Sequence, residues 1–117
     1  MNHQKTKPKK LLSLLLALVM TLSLGLFQNT ALAEIVSTND FLYELNTQKM
    51  EAMVFQCFSK TATNIVIPDK INHNGKSYTV TAIRDAVFQY CENLTKITIP
   101  NGVKSIGNSA FTNCKKL

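Results

Sequence analysis

The chain has 117 residues, 45% of them hydrophobic, with 13 Lys and Arg against 7 Asp and Glu. That length admits one domain at most. Lys5, Lys7, Lys9 and Lys10 precede the first apolar run; without them the balance is nine basic to seven acidic residues, scattered except for Lys115-Lys116. A nucleic-acid binder needs a concentrated basic face to displace phosphate counterions. This chain has none, so nucleic acid is not an expected partner.

Residues 1–33 read as a helical secretory signal peptide. A basic segment ends at Lys10, an uncharged apolar run covers 11–27, and Ala31-Leu32-Ala33 follows. Small residues at Ala31 and Ala33 suit the narrow cleft of signal peptidase, so cleavage is expected between Ala33 and Glu34. An uncleaved anchor is the alternative, since 11–33 holds 23 uncharged residues, enough to cross a bilayer. Ser13, Thr21, Ser23 and Gly25 weaken it. Both readings place the remainder outside the cytoplasm, secreted or at the cell surface, with membrane contact only through the leader. Position 34 is Glu, so a lipoprotein acyl-cysteine is not indicated.

Residues 34–60 are expected to form a small N-terminal cap. Phe41, Tyr43 and Leu45 alternate with Leu42 and Glu44, and Met53, Phe55 and Cys57 alternate with Val54, Gln56 and Phe58. Two antiparallel strands would cover the edge of whatever follows. A helix over 37–49, capped by Ser37, Thr38 or Asp40, is the competing assignment.

Residues 61–117 carry an internal repeat. VTAIRDAVFQYCENL, starting at Val80, and VKSIGNSAFTNCKKL, starting at Val103, align at a shift of 23 residues without a gap. Val80 matches Val103, Ile83 matches Ile106, Phe88 matches Phe111, Cys91 matches Cys114 and Leu94 matches Leu117. One coil cannot bury these residues alone, and stacked coils bury them in like-on-like columns. Ile97-Thr98-Ile99 reads as a short strand ended by Pro100, which lacks an N–H for the ladder. Asn64-Ile65-Val66-Ile67-Pro68 echoes it 32 residues earlier. The nine extra residues fit a hairpin of Lys70-Ile71-Asn72-His73 and Lys76-Ser77-Tyr78-Thr79-Val80, closed by Asn74-Gly75.

Together with Ile106-Gly107-Asn108-Ser109-Ala110-Phe111-Thr112-Asn113-Cys114, these runs resemble the BspA-type leucine-rich repeats of bacterial surface proteins. The resemblance covers about residues 52–117. It implies a secreted or wall-associated, mainly β solenoid, with adhesion to proteins or other cells as the known role of some members. Arg84 and Val87 depart from the pattern, standing where the second repeat has Gly107 and Ala110. Arg84 is expected to cost turn freedom if the backbone there needs positive φ. Gly102 replaces the asparagine of the better-known leucine-rich signature. The repeat runs mid-way into a further unit at Leu117, so the chain is expected to be the N-terminal piece of a longer protein or a truncated product.

No catalytic, cofactor or metal site is expected. Cys91 and Cys114 occupy equivalent positions on neighbouring coils, where packing as small hydrophobes competes with a disulfide. His73 reads as a polar turn residue, and Asn93-Leu94-Thr95 fits a glycosylation sequon through a core leucine. The expected function is non-enzymatic binding of an extracellular protein or glycan by the strand surface around Tyr90, Lys96, Thr98 and Lys104. The alternative is the recognition module of a longer extracellular enzyme, or a truncated non-functional product.

Overall fold

The computed structural model describes residues 33–117, all of it strands, turns and loops. The leader and Ala31 of the expected cleavage site lie outside the described residues. Three strands open the fold: β1 (Ala33–Ser37), β2 (Phe41–Asn46) and β3 (Glu51–Cys57). They form an antiparallel meander. β2 and β3 confirm the strand reading over the helical alternative. β1 was not foreseen, because Ile35 is 52% exposed and the strand has no core-facing row of large residues. The Ala33–Glu34 bond lies inside it, with Ala33 opposite Asn46 and Glu34 opposite Leu45.

In β2, Phe41, Tyr43 and Leu45 all point inward. In β3 the inward residues are Ala52, Val54 and Cys57, which strict alternation cannot deliver. A bulge reconciles them. Leu42 pairs with Gln56 and Tyr43 with Val54, leaving Phe55 as an extra residue that flips the face. The same device recurs in β6 (Lys76–Ile83). Its pairing with β3 skips Thr81, so Val80 and Ile83, three apart, both reach the core.

The repeat begins with β4 (Asn64–Val66), and β5 (Lys70–His73) and β6 make the inserted hairpin. His73 pairs with Lys76, so the loop is Asn74-Gly75 alone. Both loop residues have positive φ, 50° and 73°, as a two-residue type I′ turn requires. β7 (Lys96–Thr98) adds in parallel to β4, and β8 (Ser105–Ile106) in parallel to β6. The larger sheet runs β1-β2-β3-β6-β5. Its outer strands β1 and β5 would lie about 19 Å apart if it were flat, yet Glu34 Oε1 and His73 Nε2 are 2.8 Å apart. The sheet therefore curls until its edges meet at that end. Tyr43, Leu45, Val54, Tyr78, Val80, Ile83 and Phe88 fill the interior.

Candidate functional site

The coils stack in the register the 23-residue shift demands. Ile83 and Ile106 are directly paired. The rings of Phe88 and Phe111 stack with centroids 5.4 Å apart and planes 4° from parallel. In the first coil Val80, Ile83, Phe88, Cys91 and Leu94 are buried. In the second, Ile97, Ile99, Val103, Phe111 and Cys114 are partly buried against the same core. Ile106 and Leu117, expected in the core, are 48% and 51% exposed. Strand pairing with Ile83 does not by itself cover the Ile106 side chain. Val87 and Ala110 form a further buried column, 4% and 3% exposed. Its residue types differ between the repeats, so matching by identity passed over it.

Backbone hydrogen bonds join the coils, the second donating to the first beside β8 and the first to the second in the turn that follows. In the turn after β6, the N–H groups of Ala86, Phe88 and Tyr90 donate to the carbonyls of Asn108, Ala110 and Thr112 at 3.0, 2.9 and 2.9 Å. Alternate residues can aim their N–H groups the same way because every fourth φ is left-handed: Ala86 and Tyr90 at 60° and 62°, Ser109 and Asn113 at 57° and 61°. Arg84 and Gly107 do not have positive φ, so the turn-freedom argument at Arg84 does not hold. What Gly107 supplies is close approach. A Cβ there would overlap the backbone nitrogen and carboxylate of Asp85 and sit 2.6 Å from the Arg84 carbonyl carbon. Arg84 escapes this because its neighbour is the bulged β3. Its N–H donates to the Val54 carbonyl at 3.0 Å, and its guanidinium lies 4.0 Å above the Phe55 ring.

The cap finishes the other side of that turn. Lys60 Nζ donates to the carbonyls of Val87 at 2.7 Å and Gln89 at 3.3 Å. These are the first-coil counterparts of the Ala110 and Thr112 carbonyls that accept from coil one. Cys114 Sγ donates to the Phe88 carbonyl at 3.0 Å, and all three thiols are unpaired. Burial pushes the Cys57 and Cys91 thiols up from their ordinary value. Burial, with the charges of Asp40 and Cys57 adding, pushes the Tyr43 phenol up as well. The Tyr43 hydroxyl has no hydrogen-bond partner among the described residues. Of the sequon, Asn93 accepts from Lys116 Nζ, Thr95 Oγ1 donates to the Thr63 carbonyl, and Leu94 is fully buried.

The four residues expected to share a binding face are all exposed but do not share one. Lys96 and Thr98 project from β7 in the smaller sheet. Lys104 donates its N–H to Thr81, on the β6–β8 side. Tyr90 lies in the turn. The regular surface is instead the outward row of β4 and β7, where Asn64 stands beside Lys96 and Val66 beside Thr98. One shallow cavity of about 140 Å³ lies where the cap meets β4, lined by Asp40, Phe41, Ser59, Ala62 and residues 64–66. Among the described residues no group of three or more His, Cys, Asp or Glu side chains is placed to hold a metal ion.

Parallel coils with a turn-borne hydrogen-bond ladder, behind a β cap, define the opening of a leucine-rich-repeat solenoid. Residues 81–117 match the family of the BspA type leucine rich repeat region (6 copies), and the repeats of this chain are of that BspA-like family. No curated protein matches. Among solved structures, a leucine-rich repeat protein from Bacteroides capillosus is 30% identical with a TM-score of 0.62, over 71% of this chain and 61% of that one. A leucine rich repeat protein from T. pallidum is 25% identical with a TM-score of 0.60, over 72% and 37%. A leucine rich cell surface protein from Faecalibacterium prausnitzii shares the fold at 22% identity and a TM-score of 0.54, over 72% and 29%. The chain thus spans less than two thirds of the length of each of these proteins.

Proposed function

We propose that this chain is a secreted or cell-surface repeat protein that binds an extracellular protein or glycan without catalysing a reaction. The observation that carries the reading is the outward row on β4 and β7. Asn64, Val66, Lys96 and Thr98 are all exposed, and the parallel pairing holds them in fixed register. Val66 is 60% exposed, so the row offers an apolar contact flanked by an amide, a hydroxyl and an ammonium. A surface ordered before binding avoids much of the entropy cost of association. The signal-peptide pattern supports an extracellular location, as does likeness to a protein described as cell surface. The greater length of the matching proteins favours one second reading, a recognition module at the front of a longer extracellular protein, enzymes included.

The test immobilises the chain and measures binding to a panel of extracellular-matrix proteins and an array of bacterial and host glycans. Replacing Val66 with Ser and Lys96 and Thr98 with Ala should weaken a hit about tenfold, the scale of losing a small anchor cluster. A hit indifferent to these changes, or no hit in either panel, rejects the reading.

A further inference from the structure

The cavity where the cap meets β4 adjoins the β4–β7 row and shares Asn64 and Val66 with it. Its floor is apolar: Phe41 and Ile65 are 3% and 5% exposed, and Ala62 is half-buried. Its rim is polar, carrying Asp40, Ser59 and Asn64. The rim is held from behind. The Asp40 carbonyl accepts from the Phe58 N–H at 2.9 Å, and Ser59 Oγ donates to Asp40 Oδ1 at 3.2 Å. The Thr38 N–H and hydroxyl close the flanking turn on the Phe41 carbonyl at 2.8 and 3.0 Å. Asn64 is fixed opposite Lys96 by strand pairing. Among the described residues, Asp40 meets no cation and the Asn64 side chain makes no hydrogen bond. An open carboxylate and an open amide thus stand over a floor that is already built.

We propose that this cavity binds one neutral pyranose ring, the terminal residue of a glycan whose next residues run along the β4–β7 row. The inference rests on the reading of that row as a binding surface, and it selects glycan as the ligand class. A pyranose carries hydroxyls around its edge, each both donor and acceptor, and C–H groups on its faces. Its hydroxyls donate to the Asp40 carboxylate and accept from the Asn64 amide, while a C–H face lies over Phe41 and Ile65. The volume of about 140 Å³ falls below the roughly 300–1,000 Å³ of sites for drug-sized ligands, which suits a single ring. With no cation beside Asp40, an acidic sugar is repelled. A lysine side chain answers Asp40 alone, and an exposed ion pair contributes little. A sugar engages carboxylate and amide together, on groups ordered before it arrives.

The probes are the methyl glycosides of glucose, mannose and N-acetylglucosamine, titrated into the full chain with single-amide NMR shifts as the readout. At least one should shift the amides of Asp40, Phe41, Ser59 and Asn64, and methyl glucuronoside should bind about fivefold more weakly than its glucose counterpart. Asn64→Ala should weaken the neutral sugar about fivefold, the scale of one hydrogen bond. Asp40→Asn, which keeps an acceptor for Ser59, should weaken it similarly and abolish the discrimination against the acid. The chain with Lys96→Ala and Thr98→Ala should bind the single ring unchanged. No shift at these amides at the solubility limit of all three sugars overturns the proposal. So does binding indifferent to both cavity substitutions, or a lysine tripeptide that shifts the same amides more strongly than any sugar. If the cavity fails in this way while a ligand from the wider panels still depends on Lys96 and Thr98, the row stands and only the pyranose site falls.

Discussion

Gly107→Ala isolates the reason the coils can stack. The added methyl meets the Asp85 nitrogen and the Arg84 carbonyl carbon, which are backbone and cannot swing aside. The coils must part locally instead. Overpacking of this kind costs about 1–3 kcal/mol. Parting also strains three inter-coil bonds: Lys104 N–H to Thr81 and Gly107 N–H to Ile83, both 2.8 Å, and Asn108 N–H to the Asp85 carboxylate, 2.7 Å. Each is worth about 0.5–1.5 kcal/mol net. Against this, Ala orders the unfolded chain and returns up to about 1 kcal/mol. The expected loss is about 3 kcal/mol, or roughly 15 °C in Tm for a domain of this size. Gly75→Ala is the control. It has open space around it but a φ of +73°, so only conformational strain of about 1 kcal/mol applies. Thermal melts followed by circular dichroism compare the two, and hydrogen exchange at Ala86, Phe88 and Tyr90 reports the coil contact. If Gly107→Ala melts within a few degrees of Gly75→Ala, or leaves those amides equally protected, close stacking at Gly107 is not what holds the coils.

Three further outcomes are expected. Phe88→Ala should cost about 3–5 kcal/mol in denaturant unfolding, as for a fully buried phenyl, and Phe111→Ala about half that, because Phe111 is only partly buried; equal losses would contradict the difference in burial. Lys60→Met should cost about 1 kcal/mol by stripping an ammonium from two carbonyls while keeping an apolar stem, and should speed exchange in the 84–94 turn. Tyr43→Phe should leave the protein equally or more stable, because it removes a buried hydroxyl without a partner. It should also reduce the alkaline loss of stability. The folded state holds the protons of Tyr43, Cys57 and Cys91 more tightly than the unfolded chain, so stability is intact below the ordinary thiol value of 9.0 and falls as pH rises above it. A flat stability curve between pH 9 and 11 in the native protein would contradict this.

The repeat could be read because a stacked core writes itself twice: Phe88 and Phe111, or Ile83 and Ile106, announce a contact by recurring at one spacing. The hairpin was legible through Asn74-Gly75, where backbone geometry dictates residue type. Less was legible where tertiary context decides. The bulge at Phe55 leaves no composition signal, so Val54 and Cys57 sharing a face could not be foreseen. The need for Gly107 arises from Asp85, on another coil, and not from its own φ. Tyr90, Lys96, Thr98 and Lys104 were grouped by exposure and nearness in sequence, but the coil turns between them.

The latch between Glu34 and His73 gives the nine-residue insertion a role beyond lengthening one coil. Trimming residues 70–78 to restore an even period would delete the hairpin arm that the first strand leans on, and the meander would lose the Glu34–His73 tie to the far rim. A tidier repeat would thus leave an open seam between the first strand and the hairpin, so irregularity in this coil is what closes the curled sheet.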